Sequence, residues 1–342
     1  MRVAIVGASG AVGRTMTAIL EERAFPMDEL VPLASQRSAG STLTFRGEHV
    51  SVRELTHESL AGVDLALVSA GATASREFLP RAAEGGTVCI DNSSAFRMDE
   101  DVALSIPEVN PEALRERRSN IIAVPNCTTI TAMLAIGPLH RAAGLRSLVI
   151  SSYQSVSGAG WKGVVELEDQ VGQLHGHEEE LAHPDIDALP VGDVFGKTIA
   201  YNVVAKIAAF EESGYTGEEA KMMAEPRKIL GVPDLFVAAT AVRVPTTFAH
   251  AVSLYAEFDR SITPDEARQA LRDAPGVELR DDPANGVYPS PIEAAGRDVA
   301  LVGRIRQAEG RENGLLLFSC ADNLRKGAAL NAVQIAEAVF AS

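Results

Sequence analysis

Short apolar runs alternate with amphipathic segments along the first third of the chain. The apolar runs predict strands at residues 3–6, 30–34, 63–69, 87–90 and 120–124. Apolar positions at helical spacing predict helices at residues 11–22 and 76–83, between these strands. Because alternating strands and helices build a parallel sheet covered by its crossover helices, the pattern predicts an α/β domain up to about residue 126.

The pattern changes after residue 127. Longer strands are predicted, beside long loops, at residues 147–154, 235–243, 251–258 and 315–320. They favour an α+β second domain with a mixed or antiparallel sheet. Residues 174–194 are polar and predict a surface loop or an interface excursion, and residues 324–340 have the apolar spacing of a helix.

Composition limits the class of protein. The 342 residues give room for two domains, and the net charge of −15 argues against nucleic acid or an anionic membrane as a partner. Three cysteines are too few for a disulfide framework. No stretch approaches the roughly 18–20 apolar residues of a membrane span. The first residues also lack the features of a secretion signal, so we expect a cytoplasmic protein.

A glycine-rich turn joins the first predicted strand to the first predicted helix. It has the spacing G-x-x-G-x-x-G and consists of Gly7, Ala8, Ser9, Gly10, Ala11, Val12 and Gly13. Glycines there let the backbone approach a pyrophosphate, which the helix N-terminus then stabilises. An ordinary glycine-rich turn is the alternative, but the strand and helix on either side favour a dinucleotide site.

The end of the second predicted strand bears on the choice of cofactor. It is followed by Arg37 and Ser38, with no acidic residue nearby. An acid there would hold the ribose hydroxyls of NAD, whereas arginine and serine suit a 2′-phosphate. This predicts NADP, with a solvated loop arginine as the alternative.

Cys127 ends an apolar stretch and opens a predicted helix. Free backbone N–H groups and the helix dipole at such a position favour the thiolate, which is the nucleophilic form. The alternative is a small buried core residue, the reading we give to Cys89 and Cys320. A nucleophilic thiol beside a nicotinamide site predicts aldehyde chemistry through a thioester.

Such chemistry needs a base and a group that holds the substrate, and Arg243 and His250 are the candidates in the second domain. They are seven residues apart, so an unbroken strand would point them to opposite faces. A bend at Pro245 would let them converge. For each of these residues taken alone, the alternative interpretation is a structural role.

Eight segments, in order, carry a resemblance to a known family. They are GASGAVG (7–13), DNSSAFRMD (91–99), PEVNP (107–111), PNCTT (125–129), SYQSVSGAG (152–160), EEAKMMAEPRKIL (218–230), RVPTTFAH (243–250) and ADNLRKGAALNAVQIAE (321–337). Together they resemble the aspartate-semialdehyde dehydrogenase family over essentially the whole chain. The resemblance implies a Rossmann-like NADP-binding domain of residues 1–127 plus the C-terminal helix at 324–342. It also implies an α+β catalytic and dimerisation domain at 128–323, with a mixed sheet, in a homodimer or a tetramer.

The resemblance further implies a reaction. Cys127 attacks L-aspartyl-4-phosphate and expels phosphate, leaving a thioester. NADPH reduces the thioester, and the product is L-aspartate-4-semialdehyde, used in lysine (diaminopimelate), threonine and methionine biosynthesis. His250 matches the acid/base residue of the family, and Gln154 matches the glutamine that orients the intermediate.

The remaining site residues also follow from the resemblance. Arg243 matches the group that binds the substrate α-carboxylate, and Glu218 the acid that holds its amino group. Arg97 and Lys221 match the phosphate-binding pair. Without the family, Glu218 and Lys221 would be read as a surface ion pair on one helix face. The positions that match the nicotinamide contacts are Ser157, Gly158 and Asn323.

Some positions depart from the family pattern. Alanines flank His250 where the family usually has glycine and serine, and residues 201–210 are atypical. One alternative is therefore a paralogue that reduces another acyl phosphate or acyl thioester, and another is a non-catalytic NADP-binding regulator or scaffold. The histidines at 175, 177 and 183 match no standard ligand spacing, so no metal is predicted.

Overall fold

A computed structural model describes residues 1–340 of the chain. Positions 341 and 342 of the predicted 324–342 segment therefore lie outside the described residues. Two main sheets organise this structure, one before and one after Cys127.

The first sheet has seven strands in the order β5-β2-β1-β6-β7-β9-β8, and all of its neighbours are parallel. The strands of this half of the chain are β1 (Arg2–Val6), β2 (Glu29–Ala34), β3 (Thr42–Phe45), β4 (Glu48–Ser51), β5 (Arg53–Glu54), β6 (Leu65–Val68), β7 (Val88–Asp91), β8 (Ala103–Leu104) and β9 (Ile121–Ala123). Its helices are α1 (Ala11–Glu22), α2 (Ala72–Glu84) and α3 (Glu112–Arg115). Strands β3 and β4 form a separate hairpin. Strand β6 is fully buried, as expected for a sheet covered on both faces, and the predicted parallel α/β domain is confirmed.

The second sheet has six strands in the order β11-β10-β12-β15-β14-β13. Its strands are β10 (Leu145–Gln154), β11 (Phe236–Arg243), β12 (His250–Phe258), β13 (Val277–Leu279), β14 (Ala300–Ala308) and β15 (Arg311–Ala321). The helices of this part are α4 (Cys127–Ala143), α5 (Trp161–Leu174), α6 (Gly217–Leu230), α7 (Pro264–Arg272) and α8 (Pro291–Ala294). Parallel pairs β10–β11 and β13–β14 stand beside antiparallel ones, which confirms the mixed sheet. Strand β14 was not predicted from the sequence.

Strand β10 lies between β11 and β12, and this order positions the site. Gln154, the last residue of β10, is opposite Arg243 in the parallel neighbour, and Tyr153 is opposite Ala251 in the antiparallel one. Residues 244–249 therefore pass across the end of β10. Arg243 and His250 converge on Gln154 because they belong to two strands, not because one strand bends.

The predicted C-terminal helix consists of a π-helical turn, Arg325–Ala329, followed by α9 (Leu330–Phe340). Helix α9 packs against α1, β6 and β7 of the first sheet. The fully buried ammonium of Lys326 donates to Glu108 Oε1 at 2.8 Å and Oε2 at 2.9 Å, and to Gln334 Oε1 at 2.7 Å. Gly327 lies under the nucleophile candidate, since a Cβ there would be 3.0 Å from Cys127 Cβ.

Candidate active site

Cys127 is the first residue of helix α4, as the sequence predicts. The preceding residue, Asn126, caps the helix. Its Oδ1 accepts hydrogen bonds from the amides of Thr128 at 2.9 Å and Thr129 at 3.3 Å. The thiol therefore lies at a helix N-terminus where the Asn126 side chain already binds two of the backbone amides that lack a partner within the helix.

The expected thiolate is wrong for this site as it stands in the structure. Burial raises the pKa of the Cys127 thiol to about 11, and the charge of Glu218 acts in the same direction. Arg97 and Arg243 oppose this effect and do not overcome it. Desolvation disfavours the charged form, so the resting group is a thiol that needs a base.

Arg243 ends β11 and is buried. Its Nη1 donates to Ser155 O at 2.7 Å, and its guanidinium carbon lies 5.8 Å from the centre of the Phe195 ring. Across residues 1–340, no carboxylate lies within ion-pair distance of this guanidinium. Burial lowers the pKa of Arg243. A buried cation that lacks an acid is costly unless an anion arrives, so this group is suited to bind a carboxylate.

His250 begins β12 and is fully buried. Burial, reinforced by the charge of Arg243, holds its pKa well below the usual range. Nε2 has no hydrogen-bond partner within the described part of the chain. A Cβ at Gly158 would lie 3.0 Å from this atom and 2.7 Å from Arg243 Nη1, so the glycine keeps open the space in front of both groups.

Ser155 contacts the other ring nitrogen of His250 in two ways. Its amide and its hydroxyl oxygen are each 3.1 Å from Nδ1. The amide can donate to an unprotonated Nδ1, and the hydroxyl can accept from a protonated one while it donates to Asn323 Oδ1 at 3.1 Å. Because the amide N–H points at Nδ1, the tautomer with its proton on Nε2 is favoured. The hydroxyl offers an acceptor to a protonated Nδ1 in the other tautomer, in which Nε2 can take a proton as a base requires.

Asn323 joins the residues that were predicted to meet the nicotinamide. Its Oδ1 accepts from the amide of Ala249 at 3.0 Å and from Ser157 Oγ at 3.2 Å. Gly158 follows Ser157 directly. The structure therefore brings Ser157, Gly158 and Asn323 together beside His250.

Glu218 is a buried carboxylate on the first turn of α6. Its Oε1 accepts from Asn126 Nδ2 at 2.8 Å and Gln154 Nε2 at 3.1 Å, and its Oε2 accepts from Lys221 Nζ at 3.2 Å. Burial alone would raise the pKa of Glu218, but Lys221 and the two amides hold it below the usual range. Glu218 thus stays charged and connects Gln154 to the residue before the cysteine.

Arg97 is buried and makes three hydrogen bonds, each of 2.8 Å, to Glu225 Oε1, Val124 O and Asn92 O. A guanidinium has five N–H groups, so two remain for an anion. Glu225 Oε2 also accepts from the amide of Asn126 at 2.7 Å. Glu225 was not predicted as a site residue, although it lies seven residues after Glu218 on the same helix and so on the same face.

The glycine-rich turn has the shape that a pyrophosphate requires. Gly7 has φ +88°, and a Cβ there would lie 2.3 Å from Ser69 O. A Cβ at Gly13 would lie 2.2 Å from Gly7 O. No side chain caps α1 at Gly10, so the amides that follow face an open cradle. These residues fit a dinucleotide.

Arg37 and Ser38 belong to a short 3-10 turn, Gln36–Ser38, that follows β2. Strand β2 is next to β1, and the amides of Gly7 and Ala8 donate to Leu33 O at 2.8 and 3.0 Å. The turn is therefore at the same edge of the sheet as the glycine cradle. Arg37 is exposed and free to meet a ligand.

No three His, Cys, Asp or Glu side chains are grouped as metal ligands within residues 1–340. In the polar 174–194 segment, His177 Nδ1 is 2.8 Å from Glu180 and His175 Nδ1 is 3.5 Å from Glu178. Over the same described residues, no helix has the length and apolar character needed to cross a membrane.

Comparisons with known proteins show the family of the chain. Residues 2–117 match the family model of the semialdehyde dehydrogenase NAD binding domain, and residues 136–326 match that of the semialdehyde dehydrogenase dimerisation domain. The chain is 48% identical to an aspartate-semialdehyde dehydrogenase of Aquifex aeolicus, over 98% of this chain and 97% of the relative. It is 47% identical to the Bacillus subtilis enzyme of that name, over 99% and 97%.

A solved structure is similar in fold over the whole chain. Aspartate semialdehyde dehydrogenase II of Vibrio cholerae, complexed with ASA, superimposes with a TM-score of 0.92 at 42% identity. The match covers 100% of this chain and 98% of that one. On these matches, with Arg243 and His250 both beside Gly158 and a glycine cradle in the first domain, the chain belongs to the aspartate-semialdehyde dehydrogenase family of oxidoreductases.

Proposed function

We propose that this protein catalyses the NADP-dependent reductive dephosphorylation of L-aspartyl-4-phosphate to L-aspartate-4-semialdehyde and phosphate. One observation carries the proposal: the buried guanidinium of Arg243, without an acid, stands beside the unpartnered Nε2 of His250. The charge of Arg243 also reaches the Cys127 thiol. A site with a nucleophile, a proton carrier and an unpaired cation suits an acyl substrate that bears a carboxylate.

Cys127 would attack the acyl carbon. The C–S bond forms, the bond from carbon to the phosphate oxygen breaks, and phosphate leaves with the electron pair. Because the pKa of the Cys127 thiol is about 11, its proton must pass to a base. We assign this role to His250 Nε2, which acts as a base in the minor tautomer, whose Nδ1–H donates to Ser155 Oγ.

NADPH, when bound, supplies the hydride that reduces the thioester carbonyl. The hemithioacetal on Cys127 then collapses to the aldehyde, and the C–S bond breaks. The proton held at His250 Nε2 returns to sulfur, which restores the resting thiol. Gln154, whose Nε2 donates to Glu218 Oε1 at 3.1 Å, would orient the intermediate during these steps.

Charged groups around the cysteine would hold the rest of the substrate. Arg243 would bind the α-carboxylate through the N–H groups that do not donate to Ser155 O. Glu218 would accept from the amino group at Oε2, where Lys221 is its only contact among the described residues. Lys221 and the two unused N–H groups of Arg97 would bind the phosphate.

The cofactor assignment rests on the first domain. Gly7, Gly10 and Gly13 would admit the pyrophosphate, with the amides of Ala11 and Val12 directed at it and Ser9 beside it. Arg37 and Ser38 would meet the 2′-phosphate, which selects NADP over NAD.

The second copy of a homodimer would cover an apolar face of the second sheet. Val149 and Tyr153 on β10 and Phe236 on β11 are exposed there. The match to a dimerisation domain supports this assignment. Sedimentation equilibrium tests it: we expect a dimer for the wild type and a shift toward monomer for Tyr153→Asp.

The reaction assigns the protein to the biosynthesis of lysine through diaminopimelate, threonine and methionine, with a homotetramer as the alternative assembly. We also propose a cytoplasmic location, because three cysteines are too few for the disulfide framework of a secreted protein.

The test of the reaction is NADP reduction in the presence of L-aspartate-4-semialdehyde and phosphate. We expect turnover by the wild type and none by Cys127→Ala. Turnover of another aldehyde instead would favour the paralogue. Tight NADP binding without turnover of any aldehyde would favour a regulator or scaffold.

A further inference from the structure

We propose that Phe195 is a positioning residue for the substrate carboxylate and that Glu166 holds it in place. The inference rests on the proposed function in one respect, namely that Arg243 binds the carboxylate. Neither residue belongs to a segment that carries the family resemblance. Phe195 directly follows the polar 174–194 segment, and its ring reaches the site from there.

The Phe195 ring covers one side of the Arg243 guanidinium. The guanidinium carbon is 5.8 Å from the ring centre, within the range of a cation–π contact. On another side, Ser155 O accepts from Nη1 at 2.7 Å. A guanidinium held by a ring and a carbonyl keeps one orientation, which leaves its remaining N–H groups for the substrate carboxylate as a preformed fork.

Glu166 on helix α5 fixes the backbone that carries the ring. Its Oε2 accepts from the amide of Val194 at 2.7 Å and its Oε1 from the amide of Phe195 at 3.2 Å. Four residues along the same helix, Gln170 Oε1 accepts from the amides of Ile199 at 2.7 Å and Ala200 at 3.2 Å. Glu166 and Gln170 on α5 thus hold the backbone of the segment 194–204 at residues 194, 195, 199 and 200.

The end of this segment is fastened to Arg243 itself. The amide of Val204 donates to Arg243 O at 2.9 Å, and the amide of Arg243 donates to Val204 O at 2.8 Å. The segment therefore connects α5 to the backbone of the residue whose side chain Phe195 covers. A movement of the segment would change the direction of the guanidinium.

Two glycines make this close packing possible. A Cβ at Gly163 would lie 3.0 Å from Phe195 Cζ, and a Cβ at Gly192 would lie 2.1 Å from the Glu166 carboxyl carbon. A side chain larger than glycine at position 163 would crowd the Phe195 ring, and one at position 192 would collide with the Glu166 carboxylate that holds it.

The experiment measures steady-state constants for L-aspartate-4-semialdehyde, phosphate and NADP. In Phe195→Leu we expect the KM for the aldehyde to rise about 3- to 30-fold, the range between an exposed and a desolvated cation–π contact. The kcat and the other two KM values should stay within about twofold. Leu189→Ala is the control: Leu189 packs on the same small cluster as Phe195, but the ring and hydrogen-bond contacts of Arg243 are made by Phe195 and Ser155, so the aldehyde KM should not change.

A double-mutant cycle tests the anchor. Glu166→Ala should raise the aldehyde KM in the same way, and the double variant should be no worse than the more severe single variant, because both changes act through one ring. Additive effects, or a parallel change in all three KM values, would overturn the role of Glu166.

A measurement without turnover separates this inference from the proposed function. Iodoacetamide alkylates Cys127, and L-aspartate serves as the carboxylate-bearing probe that protects it. We expect Phe195→Leu to need a severalfold higher L-aspartate concentration than the wild type for half protection, even if the semialdehyde is not a substrate. Equal protection in both proteins, or none in the wild type, would refute the inference.

Discussion

Replacing Arg243 by lysine keeps the positive charge at the end of β11 and removes the planar fork. In the structure, Nη1 is already engaged by Ser155 O at 2.7 Å, and the other N–H groups are available. A carboxylate can therefore receive two parallel hydrogen bonds from arginine. A lysine ammonium that satisfied Ser155 O would offer the substrate a single point charge.

The loss is one charge-assisted hydrogen bond, worth about 1.5–3 kcal/mol. At room temperature this corresponds to a KM for L-aspartate-4-semialdehyde that is about 10 to 150 times higher. The kcat should fall by less than about threefold, because the carboxylate is bound equally in the ground state and the transition state.

The assay is NADP reduction at saturating phosphate with a varied aldehyde concentration. Arg97→Lys is the matched control, because it should raise the KM for phosphate and leave that for the aldehyde unchanged. An unchanged aldehyde KM in Arg243→Lys, or a fall in kcat at constant KM, would remove Arg243 from the carboxylate site.

Three further predictions concern the thiol, its base and the cofactor. Because the pKa of Cys127 is raised to about 11, iodoacetamide alkylation of the substrate-free protein should accelerate about tenfold per pH unit from pH 7 to 9.5. A plateau near pH 8.5, measured by mass spectrometry, would contradict this. Ser155→Ala removes the acceptor for a protonated Nδ1 of His250, so kcat should fall about 10- to 100-fold and the acidic limb of its pH profile should shift. Ser157→Ala, which does not touch His250, should change the profile less, and equal effects of the two variants would argue against the Ser155 role. Arg37→Glu should raise the KM for NADP at least about tenfold and improve the use of NAD, and unchanged KM values for both would place the 2′-phosphate elsewhere.

Local features of this site could be predicted from the sequence. The glycine cradle and the helix that begins at Cys127 depend on neighbouring residues, and both are found where the pattern predicts them. The convergence of Arg243 and His250 depends instead on β10 lying between β11 and β12, a pairing between distant segments that no local pattern encodes.

The protonation of the thiol also could not be predicted. The helix N-terminus favours the thiolate, but the burial that outweighs it is a property of the folded chain. Glu225 left a usable signal, because it continues the face of Glu218 on helix α6. Phe195 left none, since its contact with Arg243 crosses a long loop.

The parallel pairing of β10 with β11 has a consequence for how activity appears during folding. It joins segments far apart in the chain, as the bond between Arg243 and Ser155, 88 residues apart, illustrates. A slip of this pairing by one residue would turn Arg243 to the opposite face of the sheet and leave the rest of the strand paired. Long-range pairings of this kind form slowly, so a refolding chain could recover most of its strand structure before it recovers a functional carboxylate site.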